Sequence, residues 1–222
     1  MTTFERPKTA QEAVLLEIRQ RLVDGRLPPG SAVRPDAIGD ELGVSAVPVR
    51  EALRILEGEG QVSYRPHRGY LVSEFDHHDL EEIYRIRELL EAEAVRAAIP
   101  LLDDEDLQRM RVELDVMEAA GNDILELMAA KRRFHFTLFE ASEMPHVTRI
   151  LRVLWDSSDA YRSLLFMQPK NRDAVHEKHS RLMELVAARD VEGTIAELDE
   201  HRRNAVAELE SDRIPVPSDP QS

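Results

Sequence analysis

Three short segments near the start of the chain carry apolar residues at helical spacing. They run over about 10–24, 35–42 and 45–57, each behind a residue that suits a helix start, and Thr9 with Glu12 can form a capping box before the first. A tight turn at Gly43 joins the second segment to the third. Two short helices joined by a glycine-containing turn are typical of a helix-turn-helix, whose second helix lies in the major groove of DNA.

A pair of short strands is predicted directly after these helices. Val62–Tyr64 and Tyr70–Val72 are rich in β-favouring residues and flank the turn segment Arg65–Gly69. This segment is basic and contains a glycine, so its tip can approach a phosphate backbone or a minor groove closely. The N-terminal part is therefore predicted to be a winged helix-turn-helix of three helices and a two-stranded β-wing.

From Asp76 to about Glu210 the pattern is helical with almost no strand signal. Six helices are predicted from prolines, glycines and acidic first turns, over 77–99, 103–119, 123–142, 146–167, 171–188 and 191–210. The predicted fold class is therefore mainly α, a winged helix-turn-helix followed by an all-α six-helix bundle. Three prolines in the last nine residues predict a flexible tail.

Charge divides the 222-residue chain at the same place. The net charge is −14, yet residues 1–73 hold 10 basic and 10 acidic residues, while the remainder holds 19 basic and 33 acidic ones. Such asymmetry indicates two units with different partners. We therefore predict a DNA-binding domain over 1–73, a helical domain with a different partner over 74–212, and a tail over 213–222.

Composition excludes several classes of protein. The chain has no cysteine, which rules out disulfides, thiolate metal sites and cysteine nucleophiles. No apolar run approaches the ~20 residues needed to span a bilayer, and the first residues lack the apolar core of a signal peptide. We therefore expect a cytoplasmic protein with no membrane partner.

The stretch from Leu27 to Val72 resembles the winged helix-turn-helix domain of GntR-family transcription regulators. The resemblance is carried by LPPG, ELGVS, PVREALRILEGEG and RPHRGYLV. It implies double-stranded operator DNA as a partner. The residues expected to serve the contact lie at the third helix and on the wing: Ser45, Val47, Arg50, Arg54, His67, Arg68 and Gly69. Ala46 departs from the family, which usually carries arginine there, so one expected DNA contact is missing.

Three histidines lie on the apolar faces of three predicted helices. They are His135, His179 and His201, separated by 44 and 22 residues. Neutral imidazoles are common ligands of Zn, Ni, Cu or Fe, and helix bundles build such sites between facing helices. The spacing alone does not show that the three converge, and each could instead be a hydrogen-bonded core histidine.

Residues 77–210 resemble the all-helical FCD effector domain of FadR-like GntR regulators, through IYRIRELLE, RRFHFTLFEAS and HSRLMELVAARD. The resemblance identifies the three histidines with metal ligands of the family and implies a divalent metal such as Zn or Ni. It also implies a small effector, expected to contact Arg87, Lys131 and Tyr161. Arg87 could instead pair with Glu91, its neighbour one turn later.

Lys131 stands where many members of the family carry a metal-binding aspartate. An ammonium has no lone pair for a metal and opposes a divalent ion beside it. Two outcomes stay open. Three histidines could hold a metal whose coordination is completed by water or effector, or the metal could be lost, so that Lys131, the histidines and Arg87 bind an anionic effector directly.

The resemblance implies a ligand-responsive transcription regulator and not an enzyme. We expect a repressor that binds operator DNA as a homodimer and responds to a small carboxylate or similar metabolite. The alternative is a metal-dependent hydrolase built on the three-histidine site.

Overall fold

The computed structural model describes residues 9–166 and 169–211. The chain divides into two compact units, the first ending at Glu74 and the second beginning at Phe75. The predicted boundary lies one residue earlier. The predicted tail over 213–222 falls outside the described residues.

The N-terminal unit contains the three predicted helices and a small sheet. Its elements are α1 (Ala10–Val23), β1 (Ala32–Val33), α2 (Pro35–Leu42), α3 (Ala46–Gly58), β2 (Val62–Arg65) and β3 (Gly69–Val72).

The capping box at the start of α1 is confirmed. The Thr9 hydroxyl accepts a hydrogen bond from the backbone N–H of Glu12 at 3.1 Å, and the Glu12 carboxylate accepts one from the backbone N–H of Thr9 at 2.9 Å. Val14, Ile18 and Leu22 are buried on the inner face of the helix, as their spacing predicts.

The turn between α2 and α3 depends on two glycines. Gly43 has a φ of +68°, in the left-handed region that favours glycine. The Val44 N–H donates to the Gly39 carbonyl at 2.9 Å. A Cβ on Gly39 would lie 2.8 Å from the Val44 carbonyl oxygen, closer than ordinary contact allows. The tight turn that joins the two helices therefore requires glycine at both positions.

The sheet contains one strand more than the sequence predicts. β1 pairs antiparallel with β3, and the strand order is β1-β3-β2, with Ala32 opposite Leu71 and Tyr64 opposite Tyr70. The predicted two-stranded wing is the β2–β3 hairpin, and β1 adds a third strand to this sheet. β1 was missed because two residues are too few to show an alternating pattern.

The second unit contains the six predicted helices, each close to its predicted bounds. They are α4 (His77–Ala98), α5 (Asp104–Ala119), α6 (Ile124–Glu140), α7 (Pro145–Phe166), α8 (Pro169–Ala187) and α9 (Val191–Ser211). In the part of the chain that the structure describes, no helix is long and apolar enough to cross a membrane.

Helix α6 is buried over most of its surface. Phe134, Phe136, Leu138 and Phe139 are all buried, and the helix packs against α4, α5 and α7. Its apolar residues are therefore not confined to one stripe. His135 lies within this run and is buried with it.

Candidate nucleic-acid interface and ligand cavity

The start of α3 presents the predicted DNA contacts to solvent. Ser45, Val47, Arg50 and Arg54 are all exposed, whereas the opposite face of the helix is buried in the core of the unit. Ser45 occupies the N-cap position, but its hydroxyl makes no capping hydrogen bond. Val47 is 59% exposed, which is unusual for an aliphatic side chain. A contact with a DNA groove would cover it.

Arg50 makes one weak contact within the unit. Its guanidinium lies 3.4 Å from Asp36 Oδ1, and both side chains are exposed. An exposed pair of this length contributes little to stability. Little free energy is therefore lost when the Arg50 guanidinium turns to a base or a phosphate.

The wing tip exposes a basic surface. Arg65 pairs with Gly69 across the hairpin, and the side chains of His67 and Arg68 between them are exposed. Gly69 has a φ of +82°, and a Cβ there would meet nothing within 4 Å. Backbone conformation, and not crowding, therefore requires this glycine.

Two exposed arginines of this unit were not among the predicted contacts. Arg34 is at the N-cap position of α2, and Arg65 is at the end of β2. The first helix of a helix-turn-helix crosses the DNA backbone. An arginine directly before that helix could therefore have been included from the sequence. The DNA contacts themselves stay predictions.

The second unit contains a partly open cavity of about 100 Å³ between five of its helices, α4 and α6 to α9. The three histidines and Lys131 and Arg87 all line it. The structure therefore brings together the residues that sequence spacing alone could not place. The size suits a small molecule, since an engineered cavity of about 150 Å³ in another protein binds benzene.

The histidines contact one another through defined nitrogen atoms. His135 Nε2 lies 3.1 Å from His179 Nε2, and the rings of His179 and His201 lie 5.2 Å apart between centroids. His179 Nδ1 lies 2.7 Å from the Val175 carbonyl, which can only accept, so Nδ1 carries the proton. In a neutral pair, His135 Nε2 then donates to His179 Nε2.

That arrangement assigns the remaining ring nitrogens. His135 Nδ1 is left as an acceptor, and it is buried with no hydrogen-bond partner among the described residues. His201 Nε2 lies 3.1 Å from Glu197 Oε1, to which it donates. Burial lowers the pKa of His135 and of His179 well below the ordinary value, and it lowers the pKa of His201 to about 4. All three imidazoles are therefore neutral at pH 7.

A buried ion-pair network forms one wall of the cavity. Glu91 accepts from Arg87 Nε at 3.0 Å and from Trp155 Nε1 at 2.9 Å, and it also accepts from Arg202. Burial would raise the pKa of Glu91, but the charges of Arg87 and Arg202 hold it below the ordinary value. The predicted alternative for Arg87, pairing with Glu91, is therefore confirmed, although Arg87 also lines the cavity.

Lys131 differs from the arginines around it. Its Nζ lies 3.9 Å from the centre of the Phe166 ring. In residues 9–166 and 169–211 it has no hydrogen bond and no carboxylate within ion-pair distance. Burial, followed by the charges of Arg162 and Arg87, lowers the pKa of Lys131 well below its ordinary value.

The lining of the cavity is strongly cationic. Arg87, Lys131, Arg162, Lys178 and Arg202 line it, whereas its one acidic lining residue among those described is Glu91. Several buried donors of this wall have no partner among the described residues: Tyr84 Oη, Arg87 Nη1, Arg162 Nε and Arg202 Nε. Buried polar groups without partners are costly, so these groups favour a ligand rich in acceptor oxygens.

The donor set does not fit a divalent metal. Two ring nitrogens 3.1 Å apart could reach one ion, since Zn–N bonds are about 2.0–2.1 Å. However, Glu197 holds His201 Nε2, and a cationic wall surrounds the histidines. Among the described residues, no group of three or more His, Cys, Asp or Glu is arranged to hold a metal ion. Metal binding at His135, His179 and His201 stays a prediction without structural support.

Tyr161 is placed elsewhere than predicted. Its hydroxyl accepts from the backbone N–H of Phe75 at 2.6 Å, and its ring packs with Leu80 and Leu165. It is not among the residues that line the cavity. The structure therefore gives no support to the prediction that Tyr161 contacts the effector, since its hydroxyl holds the backbone at the start of the second unit.

Arg162 and Arg202 line the cavity but were not predicted to do so. Each directly follows a residue that the sequence did single out, Tyr161 or His201. Both are buried, which is rare for arginine unless it is paired. The helical spacing did not show this, since a surface arginine has the same sequence signature.

Comparison with known proteins gives consistent matches over both units. The model described as "Bacterial regulatory proteins, gntR family" matches residues 10–72, and the FCD domain model matches residues 82–204. The HTH-type transcriptional regulator McbR of Escherichia coli (strain K12) is 27% identical over 204 residues, which cover 90% of this chain and 89% of that protein. A solved structure of E. coli McbR/YncC has a TM-score of 0.82 at 27% identity and covers 93% of this chain and 99% of its own.

A second relative is more similar over a shorter stretch. The "Probable D-xylose utilization operon transcriptional repressor" of Paenarthrobacter nicotinovorans is 34% identical over 146 residues, 65% of this chain and 62% of that protein. Both relatives are named as transcriptional regulators and neither as an enzyme. The metal-dependent hydrolase alternative is therefore not supported.

Proposed function

Since this chain belongs to the GntR family of bacterial regulatory proteins and carries an FCD domain, we propose that it is a repressor that leaves its operator when a small organic anion binds in the cavity of its helical unit. The family makes the chain a DNA-binding transcription regulator. Repression, the class of effector and the direction of the response are the parts that we add.

The cationic lining of the cavity is the observation that carries the proposal. Five basic residues face one carboxylate, and that carboxylate already accepts from two arginines and Trp155. A carboxylate ligand would provide the acceptors that the unpartnered donors lack. The neutral histidines beside them add no charge, and their N–H groups are already bonded to His179, to the Val175 carbonyl and to Glu197.

Repression is supported by a relative. The Paenarthrobacter nicotinovorans protein is named as a repressor of a sugar-utilization operon. A repressor of a catabolic operon must release DNA when its metabolite accumulates. Allosteric release requires the effector to prefer one arrangement of the regulator, with a coupling that is typically ~1–3 kcal/mol.

Binding as a homodimer follows from the need for two half-sites. A helix-turn-helix dimer places its recognition helices in successive major grooves of a pseudo-palindromic operator. The second unit offers exposed aliphatic residues on two helices that pack together, α4 and α7: Ile86, Leu89, Ile150 and Val153. These give the apolar surface that a two-fold interface would bury.

The proposal is tested on DNA that the protein selects itself. Operator sequences are enriched from a random duplex library, and their affinity is measured by fluorescence anisotropy with and without two- to four-carbon carboxylates. We expect a palindromic consensus and a weaker affinity with at least one carboxylate. A regulator that selects DNA but keeps its affinity with every carboxylate would contradict the effector class.

A further inference from the structure

We propose that Lys131 takes the place of a metal ion in this cavity: its ammonium binds the carboxylate of the effector directly and keeps divalent metals out. The proposal rests on the proposed function, because it assumes that an organic anion enters the cavity. It adds how the anion is held and which residue selects it.

The first reason for this assignment is the position of Lys131 on α6. Lys131 precedes His135 by four residues, so the two side chains leave the helix on the same face, one turn apart. Both line the cavity. A group at position 131 is therefore presented to the space that the histidines surround.

The second reason is that three other cations of the cavity lining are paired with carboxylates. Arg87 is paired with Glu91, Arg202 with Glu91 and Asp199, and Arg162 with Asp159. Lys131 makes no ion pair with any carboxylate in the described parts of the chain, and it contacts the Phe166 ring instead. Lys178 is likewise without an ion pair among the described residues, but Lys131 is the lining cation that lies one turn from His135 on α6.

The third reason is the chemistry of the lysine ammonium group. Burial lowers the pKa of Lys131, but a carboxylate beside it favours the charged form. That form offers three N–H donors and no lone pair, and it therefore binds a carboxylate and does not ligate a metal. It also repels a dication placed beside it, and the neighbouring arginines add to that repulsion. A charge-assisted hydrogen bond to a carboxylate is among the stronger polar contacts in proteins.

The histidines then act as neutral partners. His135 and His179 are linked through their Nε2 atoms, and His135 Nδ1 has no partner in the described residues. This nitrogen can accept a hydrogen bond from a ligand hydroxyl, or it can donate to an anion after a tautomer change that ends the bond from His135 Nε2 to His179. The cavity of about 100 Å³ suits a ligand of a few carbons. We therefore infer a short carboxylate with a second oxygen function, such as a hydroxy acid, an oxo acid or a dicarboxylate.

The test compares the full chain, purified without a histidine tag, with three variants: Lys131→Met, Lys131→Asp and Lys178→Met. The metal content of each purified protein is measured by elemental mass spectrometry. Thermal unfolding is followed with ZnCl₂ alone, with NiCl₂ alone, and with glycolate, pyruvate or malonate in the presence of EDTA. Lys178→Met is the matched control, since it removes a second lysine of the same lining.

The native chain is expected to contain no stoichiometric metal, to ignore ZnCl₂ and NiCl₂, and to be stabilised by at least one carboxylate in EDTA. At a hundredfold excess over Kd the melting temperature should rise by about 5–10 °C. Lys131→Met should weaken carboxylate binding about 10- to 100-fold, and Lys178→Met by much less. Lys131→Asp should lose the carboxylate response and gain stabilisation by ZnCl₂, because a carboxylate now faces the histidines.

Several outcomes would overturn the inference. These are a native chain that carries one metal per protein, a carboxylate response that EDTA abolishes, equal losses in the two methionine variants, or a Lys131→Asp variant that ignores zinc. A response that needs metal would leave the proposed function intact. The absence of any carboxylate response, with or without metal, would overturn the proposed function as well. If Lys131→Met unfolds, Lys131→Gln gives the same comparison with a polar side chain.

Discussion

Arg87 and Glu91 form an ion pair one turn apart on α4, with Arg87 Nε 3.0 Å from Glu91 Oε1 and both side chains almost fully buried. Glu91 also accepts hydrogen bonds from Trp155 and Arg202, so one carboxylate joins α4 to α7 and α9. The same pair positions the Arg87 guanidinium in the cavity wall. Stability and ligand binding therefore depend on one buried acid.

Glu91→Gln should lower the free energy of unfolding by about 3–5 kcal/mol, because it leaves the buried Arg87 without its counter-charge and Arg202 with Asp199 alone. Urea denaturation of the full chain measures the change. The control is Glu88→Gln, which removes an exposed pair with Arg85 and should cost at most about 1 kcal/mol. Equal effects of the two variants would show that the Glu91 network adds nothing to stability.

Gly39→Ala should destabilise the N-terminal unit by about 1–3 kcal/mol and weaken DNA binding, because the new Cβ would lie 2.8 Å from a backbone oxygen of the turn. Gly58→Ala is the matched control. It lies in α3, where a Cβ meets nothing within 4 Å, and should be neutral or stabilising by up to about 1 kcal/mol. Native-like operator affinity in Gly39→Ala would show that the turn tolerates a side chain.

Acid should destabilise the second unit through its cavity histidines. In the unfolded chain a histidine takes up a proton near pH 6.5. In the folded chain His201 has a pKa of about 4, and burial lowers the pKa of His135 and of His179 well below the ordinary value. The unfolded state therefore binds more protons below pH 6.5, and the free energy of unfolding falls as the pH falls from about 6.5 towards 4.

Denaturation at pH 7.5 and at pH 5 checks this sign. His201→Gln should lose part of the difference between the two pH values, because the variant has one buried imidazole fewer. His146→Gln, at an exposed position, should keep the whole difference. A native chain that is more stable at pH 5 than at pH 7.5 would contradict the assignment of neutral histidines.

Arg68→Ala should weaken binding to selected and unselected DNA alike, if the wing contacts phosphates. Each lost phosphate contact lowers the slope of log affinity against log salt by about 0.9. Anisotropy titrations over a range of salt concentrations measure the slope. Arg96→Ala removes an exposed arginine of the second unit and should leave the slope unchanged. An unchanged slope in Arg68→Ala would remove this residue from the interface.

The sequence predicted the features that depend on local chemistry. The capping box at Thr9, the Gly43 turn and the bounds of the helices follow from residues close together in the chain. β1 was missed because its two residues depend on pairing with β3, which is 36 or more residues away. The local pattern of apolar residues does not indicate such a pairing.

The sequence predicted that the three histidines and Lys131 belong to the candidate site. It did not predict the balance of positive and negative charge around them. The burial of Arg162 and Arg202 depends on how five helices meet, and so does the diversion of Tyr161 to the backbone of Phe75. Helical spacing identifies the inner face of each helix. It does not show which inner residues share a cavity.

The most direct test of the account is the operator affinity of the native chain and of Lys131→Met in EDTA, with and without the carboxylate that stabilises the native protein. The prediction is a roughly 5- to 150-fold weaker operator affinity of the native chain at saturating carboxylate, and a Lys131→Met variant that needs about 10- to 100-fold more carboxylate for the same loss of affinity. Operator affinity that stays constant in the native chain, or that falls over the same carboxylate concentrations in Lys131→Met, would contradict it.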